Sequence, residues 1–111
     1  PLLSLVPGTY QLTLGGATGN YAFVLHDLAT AASLTPGTPF TGTLSPGNET
    51  DLWRFSAQAG DRFYFDVSTP NAGNGYWRLI DPFGREVVNE GLNTDIGVRA
   101  LPYTGTYTVL I

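Results

Sequence analysis

Apolar and polar residues alternate in one short run after another, and a cluster rich in Gly, Pro, Asn or Asp closes each run. A period of two puts successive side chains on opposite faces of an extended chain, so each run reads as a strand with one inward face. Tyr10, Leu12 and Leu14 share a face in the first run, and Tyr21, Phe23 and Leu25 do so in the second. Between them "GGATGN" (15–20) predicts a hairpin turn whose glycines tolerate positive φ. The turn-rich "TPGTPFTGTLSPGNETD" encloses a short strand from Phe40 to Leu44. "DLWRFSA" then turns Trp53 and Phe55 inward, and "DRFYFDV" does the same with Phe63, Phe65 and Val67, the two being joined by a tight turn at Gly60. "YWRLIDPFGREVV" predicts a hairpin with Trp77 and Leu79 inward, because Asp81, Pro82 and Gly84 hold the preferred places of a type I turn. Ile96 and Val98 of "DIGVRAL" and Tyr107, Val109 and Ile111 of "GTYTVLI" complete the inward set. The nearest approach to a helical stretch, "HDLATAASL" (26–34), lacks a second apolar face and reads as a linker or single turn.

About eight or nine strands follow, enough for an all-β fold of two packed antiparallel sheets, a β-sandwich. The inward residues supply a core, and 42% hydrophobic against 13% charged residues separates the chain from a solvated disordered segment. Residues 1–28 are read as an N-terminal hairpin, 29–40 as a linker and 41–111 as the sandwich core, together one compact domain.

Charge narrows the partners. Nine acids stand against five arginines, there is no lysine, and a net charge of −4 argues against binding a phosphate backbone. Neither a basic amphipathic helix nor a run long enough to span a bilayer is present, so membrane insertion is not expected. Cys and Met are both absent, which removes thiolate and disulfide chemistry and suits an exported, extracellular or cell-surface protein. Pro1 is not a natural start, so the chain is expected to derive from a longer one.

From Thr41 to Ile111 the chain resembles the bacterial pre-peptidase C-terminal domain family, through "TGTLSPGNETDLWRF", "AQAGDRFYFDV", "WRLIDPFGREV" and "LPYTGTYTVLI" in that order. The resemblance implies a compact jelly-roll-like sandwich appended to secreted proteases or repeated in large bacterial surface proteins, with no catalytic activity of its own. Each matched element also has a physical use. Asp51 can accept backbone N–H bonds at a turn, and Gly60 and Gly105 sit where a strand reverses. Tyr107 pairs a large apolar ring with a hydroxyl able to reach the sheet end.

The opening "LVPGTYQLTL" nearly duplicates the closing "LPYTGTYTVLI", with Gly8-Thr9-Tyr10 and Gly105-Thr106-Tyr107 lying 97 residues apart. Three readings stay open: a tandem repeat cut out of phase, a terminal strand that completes the sheet of a neighbouring copy, and two edge strands sharing a common β sequence.

The residues with chemistry to offer are few. His26 is the sole histidine and neighbours Asp27, but no nucleophile motif accompanies it, and zinc needs more ligands than it supplies. Asn48, Glu49 and Asp51 cluster in one turn, with Asp61 and Asp66 beyond, so calcium is the ion these oxygens would suit. In relatives of the resembled family calcium is held by an acidic segment before the first strand; here that region, "TAASLTPGTPFTG", contains no acid, and the site does not transfer. Otherwise no cofactor is expected. Trp53 and Trp77 are read chiefly as core. Outward Tyr64 and Tyr76, with Tyr103, Arg62 and Arg78, offer a binding face for a glycan or a matrix protein. The expectation is therefore a non-enzymatic module of a secreted or cell-surface bacterial protein, serving as spacer, adhesive or fibre-forming repeat beside copies of itself or adjacent domains. Its alternative is a carbohydrate- or matrix-protein-binding module.

Overall fold

β-Branched and aromatic residues dominate the closing segment, which forms strand β7 (Gly105–Leu110) and takes the middle of a sheet. In the computed structural model, which describes residues 2–16, 18–68 and 73–111, six further strands precede it. They are β1 (Ala32–Ser33), β2 (Leu52–Ala57), β3 (Arg62–Phe65), β4 (Tyr76–Ile80), β5 (Glu86–Gly91) and β6 (Ile96–Ala100). No α-helix occurs among the described residues; "HDLATAASL" supplies a single 3-10 turn, Leu28–Thr30, capped by the Asp27 carboxylate on Ala29 N–H.

One sheet has five strands in the order β1-β2-β7-β4-β5, and the other has two, β3-β6. β7 runs antiparallel to β2 and to β4, pairing Phe55 with Tyr107 and Leu79 with Val109. Tyr107 and Val109 face the second sheet. Thr108 and Leu110, on the opposite face, are buried as well, each flanked by an arginine of the neighbouring strand: Arg54 opposite Thr108 and Arg78 opposite Leu110. The stems of such long side chains can cover apolar surface while their heads stay wet.

The core joins Phe55, Ala57, Trp77, Leu79, Tyr107 and Val109 of the larger sheet to Ile96 and Leu101, with Phe63 and Phe65 packed against them. Aromatic rings bridge the sheets: Phe55 meets Phe63 edge-on at 5.2 Å, and Phe65 lies 5.1 Å from Trp77. Such pairs contribute roughly 0.5–1.5 kcal/mol each beyond the area they bury.

Several expectations are corrected. The strand count is seven, and the larger sheet is mixed rather than antiparallel, because β1 pairs parallel to β2 through Ala32–Trp53 and Ser33–Arg54. No strand forms over the described residues before 28, and Tyr10, Leu12, Leu14, Tyr21, Phe23 and Leu25 all stand exposed, with no sheet to face. The segment from Phe40 to Leu44 is also without strand pairing. Val98 is exposed although Ile96 is buried. There the register slips: from Phe63 to Phe65 the partner moves from Arg99 to Ile96, so β6 advances by an extra residue and its alternation breaks.

Two glycines show why these turns need them. Gly60 adopts φ +92° in the turn between β2 and β3, where its N–H donates to Leu101 O. Gly105 combines φ +150° with close approach to Pro82, whose Cβ and Cγ would lie 2.7 Å from an added Cβ.

Candidate functional site

Among the described residues five strands face two, so part of the larger sheet's inner face has no described strand opposite it. A cleft of about 730 Å3 occupies that place. Trp53 and Phe55 reach it from β2, Phe63 and Phe65 from β3, Trp77 from β4 and Val109 from β7. The loop over residues 34–44 closes one side, with Phe40 tilted against Trp53 at a centroid distance of 5.0 Å. Asp51, whose backbone exchanges two hydrogen bonds with Ile111, and Asp66 are the charged groups in the lining. Both tryptophans of the chain line this cleft.

One buried polar atom of a lining residue lacks a partner. The Trp77 indole N–H is buried, and no described residue accepts its hydrogen bond. A buried donor left unpaired costs about 1–3 kcal/mol. Chemically, the cleft, lined mainly by aromatic and aliphatic side chains, suits an apolar guest.

The sequence-derived binding residues are spread out. Trp77 and Leu79 face the second sheet, so Tyr76, 67% exposed, points away from it on β4; Phe63 and Phe65 face the core, so Tyr64, 57% exposed, points away on β3. The two tyrosines therefore belong to different sheets, and Tyr64 also contributes to the cleft lining. The Tyr64 hydroxyl donates to Asp95, whose hydrogen bond and negative charge raise the phenol above its ordinary pKa. Arg62 is exposed at the start of β3, and Arg78 lies 3.7 Å from Glu86. Of the acids considered for calcium, Glu49 accepts from Ser45 N–H and Asp51 lies against Gly42. Asn48 is exposed beside them, and no group of three or more His, Cys, Asp or Glu able to hold a metal occurs among the described residues. His26 stands exposed, away from the cleft lining.

Two constellations went unread in the sequence. The first clamps the β4–β5 turn: Asp81, 4% exposed, accepts from Phe83 N–H, from Arg85 N–H and from the Arg85 guanidinium. Burial alone would raise the Asp81 carboxyl, but the hydrogen bonds from Arg85 and Phe83, together with the Arg85 charge, outweigh it and hold the carboxyl below the usual range. Arg85, whose own pKa is raised by the Asp81 bond, then lies over the Tyr103 ring at 4.7 Å, and Tyr103 meets Phe83 edge-on. An Asp four residues before an Arg across a Pro-Gly turn was the available signal.

The second is a recurrence. The Tyr107 hydroxyl donates to Tyr103 O and accepts from Tyr103 N–H, closing a corner four residues back. Tyr10 makes the matching bond to Val6 O, also four residues back, although no strand forms there among the described residues. The duplicated sequence thus carries its own local corner wherever it stands.

No protein-family model matches this chain, and neither a curated protein nor a solved structure matches it.

Proposed function

We propose that this chain is a non-catalytic β-sandwich module of a secreted or cell-surface protein, and that it works by associating with further copies of itself as a structural repeat. The observation that carries this reading is the doubled closing strand. Residues 6–14 share the Gly-Thr-Tyr of β7 and the tyrosine bond at its start, yet they lie exposed, and among the described residues no strand pairs with them. A strand with a corner and an inward face but no sheet is a unit made for a neighbour. The two-sheet architecture and the resemblance of residues 41–111 to the pre-peptidase C-terminal domain family point the same way. A glycan- or matrix-binding role through Tyr64, Tyr76, Tyr103, Arg62 and Arg78 gains less, because Tyr64 and Tyr76 do not share a face.

A head-to-tail fusion of two copies tests the reading. In quasi-one-dimensional arrays stability includes a term for each neighbour interface. The fusion is expected to unfold in one transition with a midpoint above that of the single chain. Two independent transitions at the single-chain midpoint would overturn it.

A further inference from the structure

The candidate occupants of the cleft are decided by the rest of the molecule. Residues 2–25 contain no charged side chain, and ten of the sixteen exposed large hydrophobics lie among them. An exposed, uncharged segment alternating with period two is what pairs onto an open strand edge. Such an edge borders the cleft: β6 lies along one side of β3, and among the described residues no strand pairs with the other. The exposed area shows the same surplus. The chain exposes 8368 Å2, whereas a compact protein of this mass exposes about 6,000 Å2. The excess of roughly 2,400 Å2 is enough for a specific interface, which buries about 1,200–2,000 Å2.

In the structure the arm is not seated in the chain's own cleft, since none of residues 2–25 lines it. Leu2 and Ser4 lie beside Gly84, in the β4–β5 turn. The cleft is lined by Trp77, Leu92 and Ile111, at the opposite end of those strands and of β7. The arm therefore starts at one pole of the molecule and leads through β1 to Leu34 in the cleft lining at the other, and between these ends Tyr10, Leu12 and Leu14 stand exposed.

From this we propose, building on the associating-module reading, that residues 9–14 of one copy enter the cleft of a second copy as a third strand beside β3. Tyr10, Leu12 and Leu14 then face Trp53, Phe55 and Trp77. Arm and cleft are different surfaces, so the contact either repeats from copy to copy or closes by reciprocal exchange of arms, and the mass reached tells which.

The chain has no cysteine, so Leu12→Cys carries a single quencher label, and the two cleft tryptophans report its arrival. Tryptophan emission of the labelled chain is expected to fall as its concentration rises, together with growth in mass by light scattering. Quenching that does not change on dilution places the arm in its own cleft and overturns the proposal, as does the absence of quenching at any concentration. Replacing both Leu12→Asp and Leu14→Asp leaves the circular dichroism unchanged, since neither residue touches the core. It is expected to weaken association at least about hundredfold, because a carboxylate would be buried unpaired. Association that survives this double change puts some other surface at the contact and overturns the proposal. If quenching fails while the two-copy fusion still melts as one unit, the cleft seat alone falls; if both fail, the module reading falls with it.

Discussion

Tyr10 and Tyr107 sit in nearly the same sequence, each bonds the carbonyl four residues back, and only one of them is in a sheet. Tyr107 is fully buried, stacked on Phe55 at 5.8 Å, whereas Tyr10 is 53% exposed. The difference lies in what stands on either side. β7 has β2 and β4 as neighbours, while residues 9–14 have none. Local sequence sets the corner and the inward face. Neighbours decide whether a strand exists, because a pleated surface gains its stability from cross-strand contacts.

That comparison can be broken most directly at the tyrosines. Tyr107→Ala is expected to cost about 3–5 kcal/mol, the usual loss for a large buried aromatic. Tyr10→Ala should stay within about 0.5 kcal/mol in dilute solution, as an exposed residue would. Urea unfolding of the two variants measures both, and equal losses would mean the arm already belongs to the core.

The Asp81 clamp sharpens it next, since the arm has no counterpart. Asp81→Ala should destabilise by roughly 2–3 kcal/mol through loss of charge-assisted hydrogen bonds to the turn. The folded Asp81 pKa lies below its unfolded value, so this contribution is present above the ordinary carboxylate range and is lost as pH falls through the folded pKa. Melting curves from neutral pH into acid should show a drop that Asp81→Asn flattens.

A smaller contrast separates the paired glycines. Gly105→Ala should cost about 1–3 kcal/mol, for positive φ and for contact with Pro82. At Gly8 an added Cβ meets nothing nearer than Val6 O at 4.0 Å and φ is not positive, so Gly8→Ala should be nearly neutral by the same melts. The smallest effect concerns the turn acids: adding calcium or a chelator is expected to leave the melting midpoint unmoved, because Glu49 is engaged with Ser45 N–H. A rise with calcium would assign the ion to Asn48, Glu49 and Asp51.

The parts of this fold legible in the sequence are those in which side-chain period and turn chemistry agree. "DLWRFSA" became β2 with Phe55 buried, and Asp-Pro-Phe-Gly made the β4–β5 turn, with Gly84 N–H donating to Asp81 O. Alternation alone misled at Tyr21, Phe23 and Leu25, where the period is right but no edge receives it. It misled again at Val98, where a bulge shifts the face. The cleft was legible only by subtraction. Trp53, Phe55, Trp77 and Val109 were all assigned inward, but period cannot say that only Phe63 and Phe65 of β3 would come to face them.

The placement of charge has a further effect. Every ionised side chain lies at or beyond Asp27, so the net −4 belongs to the folded body and none of it to the arm. Two such bodies repel one another at long range, while the segment that would join them feels no field. Added salt screens that repulsion within a Debye length of about 8–10 Å and takes nothing from the joint. Assembly of these molecules should therefore strengthen with ionic strength, the reverse of a complex held by ion pairs.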